Sequence, residues 1–305
     1  MSESGYVLGI DVGGTNIRLG LVDSSYEAHD FVKESTEQIM GEKGRAPAKL
    51  VDVVKKYIST YSNGREIRCI SIGFPSTIDK SRKEILSTPN IPGFDHVKMA
   101  ELMEEGTGIS TILEKDVNML MMFDMFDRNI PDEGITTGFY LGTGLGNAIA
   151  IDGKIYIGKN GAAAELGHIP ERNNDEMCGC GNRGCMELFA SGKRLRAICD
   201  NELNGTFIGD VFVNHKDAPE IRKFIKELAL PIVAEINILD PNYIILGGGL
   251  TQMKGFPKEL LEEAIHEHAR KPYPEQTLSF KYSNPTQING VVGAGIHGFK
   301  QLKKG

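Results

Sequence analysis

One pattern occurs twice in this chain: a short β-rich run, a glycine turn and a second β-rich run. The first copy is Tyr6 to Ile10, Asp11-Val-Gly-Gly-Thr-Asn16 and Ile17 to Val22. The second is Gly138 to Leu141, Gly142-Thr-Gly-Leu-Gly146 and Asn147 to Ile151. Two β-rich runs joined by glycines read as a hairpin. Two such hairpins, one in each half of 305 residues, predict two similar halves with a nucleotide bound between them.

The turns carry the chemistry. Glycines leave backbone N–H groups open to whatever docks there, which suits phosphate oxygens. In the first turn Gly13 and Gly14 provide that surface and Thr15 adds a hydroxyl. Asp11 would repel phosphate, so its place there makes sense with Mg²⁺ between them. Gly142, Thr143, Gly144 and Gly146 are the counterpart. Gly247, Gly248 and Gly249, after the strand-like Tyr243 to Leu246, suit a flat adenine or ribose lying against the backbone. Each motif alone reads equally well as a hairpin tip or tight turn. Their recurrence in matching context favours a clamp on a triphosphate. No window fits G-x-x-x-x-G-K-[ST], and no G-x-G-x-x-G opens the first helix, so a P-loop and a simple dinucleotide site are both excluded.

Between the repeats, apolar spacing predicts a helix over about 47–60, a strand from Ile67 to Phe74, a loop over 87–94, a strand from Ile109 to Leu113 and a helix from Asp116 to about Phe126. A long helix follows over 221–236, a further one after Pro257, and Gly290 to Gly298 reads as a closely packed helix start. Alternating strands and helices give the α/β class. The expected division is a first lobe over 1–117, with a helix near 291–305 packing back on it, and a second lobe over 118–290. Asp116, after a strand and at a helix start, is a carboxylate at a sheet's carboxyl end, where open α/β folds place ligands. It reads as a general base or as a helix cap.

The stretch 158–190 has little periodicity and many Gly, Asn and Cys residues. His168-x9-Cys178-x-Cys180-x4-Cys185 offers one imidazole and three thiolates, the donor set of closed structural zinc sites. Three buried thiols are the bland alternative. Glu165 and Glu187 flank this set, within a loop of 165–187, and a carboxylate accepting sugar hydroxyls would bind with direction. Net charge is −7 and no basic run stands out, which argues against nucleic acid. No run of about 18 apolar residues crosses a membrane and no leader is evident, so a cytoplasmic location is expected.

Taken together, Asp11-Val-Gly-Gly-Thr15, Leu141-Gly-Thr-Gly-Leu-Gly146, Gly161-Ala-Ala-Ala-Glu-Leu-Gly-His168, Cys178-Gly-Cys-Gly-Asn-Arg-Gly-Cys-Met-Glu187 and Ile245-Leu-Gly-Gly-Gly249 resemble the ROK family of sugar kinases and repressors, from Tyr6 to Gly298. The resemblance implies an actin-like (ribonuclease H-like) ATPase fold of two lobes with an interlobe cleft. It implies ATP and Mg²⁺, with Asp116 as base and Asn90, Asp116, Glu165, His168 and Glu187 holding a sugar. It also implies a structural Zn²⁺ on His168, Cys178, Cys180 and Cys185, transfer to the 6-hydroxyl of an aldohexose, and a homodimer.

One run departs from the family. Where many of its kinases have Glu-Asn-Asp, this chain has Glu114-Lys115-Asp116. With Ser87-Thr-Pro-Asn-Ile-Pro92, Gly167-His-Ile-Pro170 and Asp240 to Gly249, that run is most similar to the family's D-allose kinases. Allose is therefore expected ahead of glucose, fructose and N-acetylmannosamine. Two readings of another class stand beside it. A repressor would carry a helix-turn-helix domain ahead of Asp11, where only ten residues stand. A non-catalytic sugar sensor would be expected to have lost Asp116 or a glycine turn.

Overall fold

The central strands of the two sheets are buried along nearly their whole length, so both faces are covered there, while the edge strands stay partly exposed. β1 (Tyr6–Val12) and β4 (Ile67–Phe74) show almost unbroken burial. That is the signature of strands with helices on either side rather than of one solvated face. The computed structural model describes residues 5–37, 45–89, 91–172 and 174–303. The chain divides into two compact units, one of Met1–Asn129, Ile157–Ala163 and Thr286–Gly305, the other of Ile130–Tyr156 and Ala164–Pro285.

Unit 1 holds a five-stranded sheet in the order β3-β2-β1-β4-β7, where β2 is Asn16–Val22, β3 Ala28–Ser35 and β7 Thr111–Lys115. The pairs β1/β2 and β2/β3 are antiparallel, whereas β1/β4 and β4/β7 are parallel. A small hairpin of β5 (Thr77–Ile78) and β6 (Ile85–Ser87) stands beside it. Helices α1 (Ala46–Tyr61) and α2 (Met99–Thr107) pack on each other. Leu50, Val54, Ile70, Ile72, Phe74 and Leu113 lie in the core they share with the sheet.

Unit 2 repeats this order. With β8 (Ile135–Leu141), β9 (Leu145–Ile151), β10 (Lys154–Ile155), β11 (Tyr243–Gly247) and β12 (Phe280–Tyr282), its sheet runs β10-β9-β8-β11-β12. Again the first three strands are antiparallel and the last two parallel to the first. The repeat read from the glycine turns is thus a repeat of whole sheets, and each unit has the ribonuclease H-like topology of the actin-like ATPase fold. Helices α4 (Gly192–Asn201), α5 (Val211–Asn214), α6 (Pro219–Leu239) and α7 (Lys258–His268) complete the unit. Phe224, Leu228 and Ile232 of α6 are fully buried against Phe139, Leu141 and Ile244.

Of the boundaries that differ from the sequence reading, two bear on the site. The strand expected at Ile109 to Leu113 lies two residues later, because Gly108 is the left-handed cap of α2 and the ladder with β4 runs to Phe74↔Lys115. The division expected after 117 falls at Asn129, since α3 (Asp116–Asp127) packs on α8 (Asn289–Leu302) within unit 1. The close packing expected of Gly290 to Gly298 has a concrete form: a Cβ on Gly293 would stand 2.0 Å from the Met119 carbonyl oxygen. Only glycine lets α8 approach α3 so nearly.

Candidate active site and metal centre

In unit 1 the β1–β2 turn presents Gly13, Gly14 and Thr15. Asp11 and Arg18 are directly opposed across this hairpin, and Arg18 Nη1 donates to Asp11 Oδ2 at 2.9 Å. Burial pushes the Asp11 carboxyl above its ordinary range, while the charge and hydrogen bond of Arg18 oppose that rise. The turn is pinned by Gly13 N–H on the Asn16 carbonyl and by the Thr36 hydroxyl on the Gly13 carbonyl. A Cβ on Gly14 would meet nothing within 4 Å, so this backbone is open. An open glycine turn with one adjoining carboxylate is the donor set through which Mg²⁺ and phosphate are held together.

Asp116 lies at the carboxyl end of the same sheet. It is the first residue of α3 and not its cap: Lys115, with extended backbone, holds the cap position. Asp116 Oδ1 accepts the Val117 N–H at 2.8 Å, which orients the carboxylate. The side chain of Lys115 is buried, and its Nζ donates to the Ala163 carbonyl at 3.1 Å, two residues ahead of Glu165. Glu114, also buried, takes the Lys115 N–H and the Asn118 amide, each at 2.8 Å. Asn90 lies outside the described residues.

Unit 2 gathers three glycine-bearing segments at one end of its sheet. The β8–β9 turn carries Gly142, Thr143, Gly144 and Gly146. Gly247 ends β11, and Gly248 and Gly249 follow it. Leu250 N–H bonds the Leu141 carbonyl at 2.8 Å, so the second segment lies beside the first. The start of α4 adds the third: Gly192 and Lys193 donate to the carbonyls of Gly142 and Thr143. A Cβ on Gly142 or Gly249 would meet nothing within 4 Å, which leaves the cradle open where a nucleotide's phosphates or sugar would stand. Glu187 reaches this turn, with its Oε2 on the Leu145 N–H at 3.0 Å.

The irregular segment of unit 2 brings His168, Cys178, Cys180 and Cys185 together, with one donor atom from each within 4.8 Å of the others. Cys178 Sγ stands 3.7 Å from His168 Nδ1, and Cys180 Sγ 3.6 Å from Cys185 Sγ. Ligands on a tetrahedral zinc with bonds of about 2.3 Å stand about 3.8 Å apart, so the set fits that ion. Burial, then the neighbouring thiols of Cys180 and Cys178, push the Cys185 thiol up to about 12. Held as thiolates, donors this close together would need a cation among them. His168 faces two ways. Its Nδ1 turns to the thiols, and its Nε2 stands 3.9 Å from Glu165 Oε2. A carboxylate facing the second ring nitrogen is the usual partner of a metal-bound histidine.

The residues expected to act together fall into both units: Asp11 to Thr15 and Asp116 in unit 1, and Glu165, His168, Glu187 and the other glycine segments in unit 2. Sequence reasoning missed Arg18, the α4 start and the buried Glu114. Counting outward from the turn would have opposed Arg18 to Asp11. Ser191, a capping side chain ahead of Leu195 and Ile198, is a legible helix start. Nothing local marks Glu114 as buried. Among the described residues no helix is long and apolar enough to cross a membrane.

The profile of the ROK family matches residues 7–297. A glucokinase of Thermotoga maritima is 27% identical over 270 residues, covering 81% of this chain and 82% of that one. An N-acetyl-D-glucosamine kinase of Vibrio atlanticus is 27% identical over 294 residues, covering 89% and 90%. Among solved structures, a ROK family glucokinase from Streptomyces griseus, in complex with glucose and AMPPNP, superposes with a TM-score of 0.80 at 24% identity, over 99% of this chain and 100% of that one.

Proposed function

This chain belongs to the ROK family, and we propose that it is an ATP-dependent sugar kinase that transfers the γ-phosphoryl group to the 6-hydroxyl of an aldohexose. The observation that carries this reading is a carboxylate at a sheet's carboxyl end, oriented by Val117 N–H, in a chain that also holds two open glycine cradles. Phosphoryl transfer asks little covalent chemistry of a protein; positioning and electrostatics do most of the work. Gly13, Gly14, Thr15 and the segments 142–146 and 247–249 bind the nucleotide, and Asp11 takes the side of Mg²⁺. Mg²⁺ held beside Asp11 would offset phosphate charge. Asp116 accepts the proton of the attacking hydroxyl. Asn90, Glu165, His168 and Glu187 orient the sugar, and the zinc set fixes His168 so that one ring nitrogen is left for the acceptor side.

The acceptor we favour is D-allose. The support is Lys115, which replaces an amide with a buried cation held toward the Ala163 carbonyl. Relatives named for glucose and for N-acetyl-D-glucosamine make those sugars the competing acceptors. ADP release with Mg-ATP across allose, glucose, fructose, N-acetylglucosamine and N-acetylmannosamine tests both levels. Preference for allose supports the whole reading. Preference for another sugar keeps the kinase and removes allose. Turnover with none of them, in zinc-replete protein, overturns the kinase.

A further inference from the structure

Arg82 combines two unfavourable features. Its backbone is left-handed, with φ of 62°, and its side chain is nine-tenths buried. A residue with a Cβ does not adopt that conformation freely, and a guanidinium is not buried without a partner. Neither feature is needed to close the loop in which it sits. Asp79 already stitches the β5–β6 loop: its carboxylate takes the N–H groups of Ser81, Lys83 and Glu84, and its carbonyl takes that of Arg82. Glycine at this position would close the same turn without strain.

What arginine adds is a link to the strand that carries the base. The Arg82 carbonyl accepts the Leu113 N–H at 3.0 Å, and its Nη2 stands 3.3 Å from Glu114 Oε1. That same oxygen accepts the Lys115 N–H and the Asn118 amide. Across from it, Glu114 Oε2 lies 4.0 Å from His297 Nε2 of α8. The strand ends at Lys115, and Asp116 follows. On its other side the β5–β6 hairpin leads directly into the loop from Thr88 to Asp95, where Thr88 bonds Ile91 and Asp95. Arg82 therefore joins the β5–β6 hairpin to the end of β7 through one buried ion pair and one backbone bond.

We propose that Arg82 is a positioning residue for phosphoryl transfer, tying the β5–β6 hairpin to Glu114 so that the end of β7 holds Asp116 in place. The proposal rests on the kinase reading for its catalytic consequence but not for its structural one. Arg82→Gly removes the guanidinium and relieves the backbone, so a loss in that variant belongs to the side chain. Its kcat is expected to fall ~10–100-fold, the scale of a small misplacement of reacting groups. KM for sugar should stay within about 3-fold, since acceptor contacts remain. Arg82→Lys, which still presents a cation to Glu114, should regain at least ~10-fold of that loss when the fall is at the larger end of the range.

Hydrogen exchange supplies the readout independent of turnover: the amides of Lys115 and Val117 should exchange faster in Arg82→Gly than in the wild type, and return toward it in Arg82→Lys. Wild-type turnover in Arg82→Gly overturns the proposal, as does an Arg82→Lys protein no better than Arg82→Gly. If the wild type phosphorylates no sugar, the kinase reading falls by itself. The Arg82 link then stands or falls on exchange, and unchanged protection over 113–118 overturns it.

Discussion

Gly144→Ala is the perturbation that the geometry of the second glycine turn defines most sharply. A Cβ on Gly144 would stand 2.1 Å from Glu187 Oε2 and 2.9 Å from Glu187 Cδ. The obstacle is the far end of a flexible side chain, so Glu187 swings away and its bond to the Leu145 N–H, 3.0 Å long, is lost. A hydrogen bond to a charged acceptor contributes about 1.5–3 kcal/mol, and the half-buried setting of Glu187 argues for the low end, about 1.5 kcal/mol. At ~2–4 °C per kcal/mol for a domain of this size, the unit should melt ~3–6 °C earlier. Glu187→Ala removes the same bond and should cost about the same, roughly 1.5 kcal/mol.

The double variant decides the matter. With Glu187 already truncated, the added methyl group at position 144 meets no carboxylate and also narrows the unfolded ensemble. The second change should then be neutral or stabilising by up to ~0.5 kcal/mol. Urea unfolding of the four proteins gives the cycle, and a coupling of about 1.5 kcal/mol is expected. KM for ATP should rise in both single variants, because the turn they loosen is the proposed phosphate cradle. Additive losses, with a double variant near 3 kcal/mol below wild type (about twice the single bond), would refute the steric and hydrogen-bond argument.

Other expectations follow from the metal centre and the core of unit 2. One zinc per chain should be found by elemental analysis and lost in Cys178→Ser, which should also cost at least ~3 kcal/mol of stability as the ligand set comes apart. A stable, metal-free wild type would remove the zinc assignment. Glu235 of α6 is buried, its Oε1 accepts Asn147 Nδ2 at 3.0 Å, and burial raises its pKa from 4.5 to about 7. Between those values the folded state keeps a proton that the unfolded chain releases, so stability falls as pH rises from 4.5 to about 7 and stays reduced above. Glu235→Gln keeps the acceptor and carries no charge. It should be near neutral at low pH and more stable than wild type by about 3 kcal/mol above neutrality, by chemical denaturation. A pH-independent difference would contradict that.

The repeat is legible in the sequence because glycine turns between β-rich runs recur, and the structure extends that hint to two sheets with one strand order. Asp116 is legible as a carboxylate after a strand, and the cysteine set as a donor cluster, since both depend on neighbours in sequence. The strand before Asp116 reads two residues early because its ends are set by pairing with β4, a partner far away in the chain. The same non-locality hides Arg82. Its neighbours Ser81 and Lys83 make it look like part of a polar loop, while its ion-pair partner, Glu114, lies on another element. Lys115 is legible as a departure from a pattern, but its hydrogen bond to Ala163 is not.

Turnover and sugar affinity of Asp116→Asn, measured beside the wild type with Mg-ATP, test the central claim most directly. Asparagine can keep the Oδ1 bond to the Val117 N–H, so the fold at the start of α3 should survive. The variant's kcat should fall by at least ~10²-fold, as when a general base is removed, with the sugar Kd within about 3-fold of wild type. Turnover close to wild type would contradict the assignment of Asp116 as the base.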